Sequence, residues 1–179
     1  MQSTSVMPLG VVIERRALTN PWQAEGWRPV AVFPGAAEIG DWVELRRGPG
    51  WVHYHAATLP LELHRKEVTG YRHNLSNDPA LVYVVLRRQA SPDSDRAVYP
   101  FLITASPYDA EAYIDSGDDI VEGVVMPEAV AMWLMNFIER QPNDPPFIKR
   151  KRGSGGGPVA ERPPGQFGPL KTRGDGRSG

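Results

Sequence analysis

The chain has 179 residues, 41% of them apolar, enough for one core of ordinary size, and it carries no cysteine. That absence excludes disulfides, thiol nucleophiles and any cluster held by the chain's own thiolates. The formal charge of −1 divides unevenly, because residues 142–179 hold eight Lys/Arg against three acids and so leave residues 1–141 at −6. An acidic body steers polyanions away, which leaves any contact with nucleic acid or anionic membrane to the basic tail.

The opening MQSTSVMPLGVVIERR lacks a basic stretch followed by a secretory-type apolar run, and no segment approaches the roughly 20 apolar residues of a membrane span. A cytoplasmic protein is expected. Residues 9–16, LGVVIERR, are β-branched and end in charge; after the loop LTNPWQAEG, the run WRPVAVF stops at Pro34-Gly35. These read as two antiparallel neighbours, with Pro29 placing the second at a sheet edge. The stretch AAEIGDWVEL allows a short helix or a strand after a turn, and Arg47-Gly48-Pro49-Gly50 is a turn.

Residues 51–57 alternate again, with Val52, Tyr54 and Ala56 on one face and Trp51, His53 and His55 on the other. Pro60 then interrupts before LELH, so a bent strand or two strands are expected. Val68, Tyr71 and Leu75, at i, i+3 and i+7, predict a short helix that ends at Asn77-Asp78-Pro79. Residues 80–86 are apolar on both faces, the pattern of a central strand covered on each side.

PFLITA, residues 100–105, is a further strand. Ser106-Pro107-Tyr108-Asp109 then opens a helix near 107–116 with a cap hydroxyl, a first-position proline and an acid at the positive end of the dipole; Gly117 stops it. After IVEGVVM, a closing helix near 127–140 carries Val130, Trp133, Leu134, Phe137 and Ile138 on one stripe. The expected fold is α+β, mainly an antiparallel sheet of about six strands with these helices, in a single domain over residues 1–141. Residues 142–179 contain nine Gly and seven Pro and are expected to form a disordered basic tail.

No catalytic set is complete. His53 and His55 project to one side of their strand and are the candidates for a metal pair, yet a tetrahedral site needs two more ligands, and neither His64 nor His73 has an offset that supplies one. Strand-face histidines beside Trp51 are the preferred reading. The serines stand in turns or caps, none in a Gly-x-Ser-x-Gly elbow. Asp115, Asp118, Asp119 and Glu122 lack the spacing of a calcium loop and read as a solvated acidic turn. Gly153 to Gly157 lies between KRKR and proline-rich coil, where a linker is preferred to a phosphate cradle. For docking a partner, the candidates are Trp22, Trp42 and Trp51 near loops or strand ends, Met132 and Met135 on the last helix, and the basic run Lys149, Arg150, Lys151 and Arg152.

The segments GVVIERR, NPWQAEGWRPVAVFPG, YHAATLPLELHRKE, YRHNL, VYVVLRR, ITASPYDAEAYIDSG and IVEGVVMPEAVAMWL resemble a bacterial family of unknown function, from about residue 10 to 141. Genes of that family commonly stand beside those for molybdenum-dependent formate dehydrogenase and its accessory factors, and members are sometimes labelled molybdopterin-guanine dinucleotide biosynthesis proteins. A guanylyltransferase of that pathway has a glycine-rich loop with Arg and Lys after its first strand; LGVVIERRALTN lacks the glycines and the lysine. The resemblance therefore implies a non-catalytic accessory or maturation factor for a molybdenum-cofactor enzyme, formate dehydrogenase foremost. Such a factor would bind no cofactor directly and would meet a protein partner, either formate dehydrogenase or a cofactor-insertion factor. The alternatives are a guanylyltransferase-like biosynthesis enzyme, or a nucleic-acid-binding regulator acting through the basic tail.

Overall fold

β1 (Thr4–Ala17) and β4 (Trp51–His64) are each 14 residues long and pair antiparallel from Thr4↔His64 to Arg16↔Trp51. This ribbon is the spine of the molecule. In the computed structural model, which describes residues 4–91 and 94–141, β2 (Glu25–Pro34) lies beside β1 and β3 (Val43–Gly48) beside β4. The resulting sheet has the order β2-β1-β4-β3. Pro29 does fall on an edge strand, where a missing N–H disturbs no ladder. The segment 142–179 assigned to a tail, with the run Lys149 to Arg152, lies outside the described residues.

Pro60 does not break β4. It pairs with Pro8 of β1, at a point where neither flanking strand runs alongside: β2 pairs only from Leu9 onward and β3 only as far as His55. Two prolines facing each other in an antiparallel pair direct their nitrogens outward, and here no outer strand needs an N–H. The ambiguous run before Gly48 becomes β3 because the turn at Pro49-Gly50, with Gly50 at φ 76°, folds it back on β4.

A second antiparallel sheet has β5 (Leu81–Arg88) between β6 (Val98–Thr104) and β7 (Ile120–Val125). The fold is thus α+β, with seven strands in two sheets among the described residues where the sequence counts about six. The central strand β5 is as expected: Val82, Val84, Val85 and Leu86 are fully buried. The sheets come together where β4 meets β6 and β2 meets β7.

Three helices complete the domain. α1 (Val68–Leu75) follows a single 3₁₀ turn, and α2 (Pro107–Ser116) starts and stops as its sequence signals require. The Ser106 hydroxyl accepts the Asp109 N–H at 3.4 Å, and Gly117 caps the end in the left-handed region at φ 75°. α3 (Glu128–Glu139) buries Val130, Leu134, Phe137 and Ile138 and leaves Trp133 half-buried. The core combines Leu9, Val11 and Ile13 of β1, Leu61 and Leu63 of β4, Val82, Val84 and Leu86 of β5, Tyr71 of α1 and the α3 stripe.

Polar ties fix α1 inside this core. The buried Tyr71 hydroxyl accepts the His64 N–H at 3.0 Å, and burial pushes its phenol up to about 12. Tyr71→Phe keeps the ring and strands that N–H, so a loss of about 1–2 kcal/mol is expected in urea unfolding, with no pH dependence below pH 9.

Candidate docking surface

β1 turns Leu9, Val11 and Ile13 to the core, so Gly10, Val12, Glu14 and Arg16 lie on the opposite face of the four-stranded sheet. Phe33 lies across Gly10, where an added Cβ would meet its ring at 2.4 Å, and together with His55 it seals one end of this face. The His55 side chain is bonded to Thr58 Oγ1 at 3.0 Å, and that hydroxyl donates to Ala37 O at 2.6 Å. With its proton spent there, Thr58 accepts, so His55 Nε2 carries the hydrogen.

The other end is polar. The register places Arg28, Glu14, His53 and Arg46 in one cross-strand row over all four strands. Glu14, only 4% exposed, holds the row together. Its Oε1 accepts from Arg16 Nε at 2.8 Å and Arg28 Nε at 3.4 Å, while Oε2 meets His53 Nε2 at 2.8 Å. Arg46 Nε reaches His53 Nδ1 at 3.4 Å, and the Arg46 guanidinium lies 5.7 Å from the Trp51 ring centre. The Arg46 N–H points at Nδ1, which accepts it, and this leaves Nε2 to donate to Glu14.

The Arg16 hydrogen bond is the largest of the influences holding the Glu14 carboxyl at about 2; His53 and Arg28 add to it, against the opposing effect of burial. The folded value lies below the ordinary 4.5, so Glu14 stabilises the fold above about pH 4.5 and ceases to do so as pH falls through 2. The Arg16 and Arg28 side chains are 48% and 57% exposed, which screens the interaction to about 1–2 kcal/mol. Urea midpoints measured between pH 6 and pH 3 should fall more steeply for the native chain than for Glu14→Gln.

The core-side face of the same sheet end is built differently. Trp27 meets Trp42 edge-on at 5.9 Å, Trp42 tilts against Tyr54 at 5.5 Å, and the Arg15 guanidinium lies 5.9 Å from Trp27 and 5.7 Å from Tyr54. Arg96 lies 4.7 Å from the Trp42 ring centre and binds Asp41 at 2.5 Å, which ties the β5–β6 connection to the loop before β3. Trp42 is therefore engaged within the fold.

The remaining docking candidates separate. Trp22, on the β1–β2 hairpin, is 91% exposed. Trp51 opens β4 at the same end of the sheet, where Ala17 N donates to Gly50 O at 2.7 Å. Leu18, also exposed, lies on the Trp22 loop. Met132 and Met135 are exposed on α3, away from its core stripe. The structure thus brings Trp22 and Trp51 to one end beside Arg16, Arg28 and Arg46, and leaves the methionines on a different element. Sequence reading missed Glu14, whose only signal was a carboxylate where the apolar run of β1 gives way to Arg15 and Arg16.

Two recesses offer little chemistry. One of about 650 Å³ is lined by Arg87, Arg88, Tyr99, Tyr113, Asp118 and Asp119, and Arg87 already pairs with Asp119 at 3.2 Å. The other, of about 260 Å³, brings His64 and Glu62 near Asp109, whose carboxyl is raised by burial and then by Glu67. The neighbouring Ser106 hydroxyl is fully buried and donates to Glu67 at 2.9 Å, so it serves as a cap and does not stand ready as a nucleophile. Among the described residues no three of His, Asp and Glu gather to hold a metal ion, and His53 and His55 bond to Glu14 and Thr58 respectively. No helix among the described residues is long and apolar enough to cross a membrane.

Fold and surface define a two-sheet α+β domain with a tryptophan-tipped, arginine-rich end. Residues 8–151 match the family described as protein of unknown function DUF3305, and the chain belongs to that family. No curated protein and no solved structure matches it.

Proposed function

We propose that this chain is a non-catalytic accessory or maturation factor that docks on a protein partner, the client being a molybdenum-cofactor enzyme such as formate dehydrogenase or a factor that inserts its cofactor. The docking part rests on Trp22: a large apolar ring 91% exposed at a hairpin tip is costly to hydrate, and aromatics so placed act as interface anchors. The client rests on the resemblance of the segments quoted above to a family encoded beside formate dehydrogenase genes. The chain holds no molybdenum cofactor itself in this reading.

The test is genetic and biochemical. Deleting the gene in cells that make formate dehydrogenase should lower that activity severalfold, and affinity capture of the full chain should recover the large subunit or an insertion factor. Undiminished activity in the deletion strain would overturn the client assignment. Magnesium-dependent GTP binding by the purified chain would instead favour a biosynthetic enzyme.

A further inference from the structure

Three arginines gather at the cross-strand row, Arg28 and Arg46 within it and Arg16 beside it on β1, around a single carboxylate. Arg16, Arg28 and Arg46 each make a contact through Nε, to Glu14 Oε1 at 2.8 Å and 3.4 Å for the first two and to His53 Nδ1 at 3.4 Å for the third. Among the described residues these three bonds are made by Nε and none by an Nη group, and the side chains stay open to solvent, 48% exposed for Arg16 and 57% for Arg28, with Arg46 exposed beside the Trp51 ring. The Nη1/Nη2 edge of a guanidinium is the fork that receives a carboxylate in two parallel hydrogen bonds. A free surface arginine loses rotamer freedom on binding, whereas one tethered at Nε has already lost part of it.

Charge on this face is unbalanced. Glu14 is the one acid in the row, it is buried, and it bonds Arg16 and Arg28 directly, while Arg46 bonds His53 on its other side. The nearby acids Glu25 and Glu44 pair with Arg15 and Arg47, on the core-side parity of the sheet. The surplus is therefore two positive charges on a chain whose first 141 residues sum to −6.

We infer that this face binds a short acidic segment of a partner polypeptide, with the Arg16, Arg28 and Arg46 forks receiving its carboxylates and Trp51 and Trp22 flanking it. This rests on the docking reading above and names the chemistry of the partner. The length fits: three strand spacings of about 4.8 Å span about 14 Å, the reach of four or five extended residues. A nucleic-acid strand needs a longer electropositive track and would run from this patch onto an acidic body.

The probe is an acetylated, amidated hexapeptide of alternating glutamate and aspartate, titrated into the ¹⁵N-labelled full chain at 0.15 M salt. Saturable shifts should appear at the Nε resonances of Arg16, Arg28 and Arg46 and at amides of β1 and β4. The triple variant Arg16→Gln, Arg28→Gln, Arg46→Gln should bind at least tenfold more weakly, although its C-terminal segment is unchanged. If that variant fails to fold, the triple lysine variant decides, because it keeps the charge and loses the forks: severalfold weaker binding supports the inference, and native affinity overturns it. Absence of saturable shifts, or tighter binding of a thymidine decamer than of the peptide, also overturns it. Client capture that persists in the triple glutamine variant would sink this inference and leave the accessory reading standing.

Discussion

Asn74→Ala is expected to cost about 3–5 kcal/mol, the largest loss of any single polar substitution in the domain. Asn74 is fully buried on α1, and its amide joins three parts of the chain. Nδ2 donates to Leu81 O at 2.7 Å and Ala105 O at 2.8 Å, and Oδ1 accepts the Leu81 N–H at 2.9 Å. Leu81 begins β5 and Ala105 follows β6, so one side chain satisfies backbone groups at the ends of two neighbouring strands. Alanine leaves two carbonyls and one N–H buried without partners, each worth about 1–3 kcal/mol before the structure relaxes. Urea unfolding should show a lower midpoint with an unchanged slope, while Thr69→Ala on the exposed side of the same helix should stay within about 0.5 kcal/mol. A cost below about 1 kcal/mol for Asn74→Ala would show that the joint is held elsewhere.

Trp22→Ala should do the reverse, with a large effect on association and none on folding. The side chain stands almost wholly in solvent, so truncation removes no native packing, and melting should move by less than about 1 °C. As an interface anchor, the same ring would contribute about 2 kcal/mol or more to a complex, which is about 30-fold or more in affinity. Quantitative capture of the client by native and Trp22→Ala chains reads this directly. Trp42→Ala is the informative contrast: Trp42 is packed by Trp27, Tyr54 and Arg96, so its loss should lower stability first.

Much of the fold was legible because its signals are local. Ser106, Pro107 and Gly117 set the limits of α2, the i, i+3, i+4 stripe defined α3, and two-sided apolarity marked β5 as central. What local pattern cannot show is which strands share a sheet. The long β1–β4 ribbon joins residues up to 60 apart, and the continuity of β4 through Pro60 depends on the absence of outer neighbours there, a property of the assembled sheet. The site was legible only in part. Of the docking candidates, Trp22, Met132 and Met135 are exposed, whereas Trp42 serves the fold. His53 and His55 do lie on one face, but each bonds a different partner, because Glu14 reaches His53 from 39 positions away in sequence. Isolated residue types could not announce that carboxylate as the meeting point of two arginines and a histidine.

The central claim, that this molecule works by gripping another protein and not by turning over a substrate, is tested most directly by light scattering after size-exclusion of the purified full chain mixed with the formate dehydrogenase large subunit. A complex of fixed stoichiometry that the native chain forms and Trp22→Ala does not is the expected result. Two proteins that elute separately at micromolar concentration would contradict it.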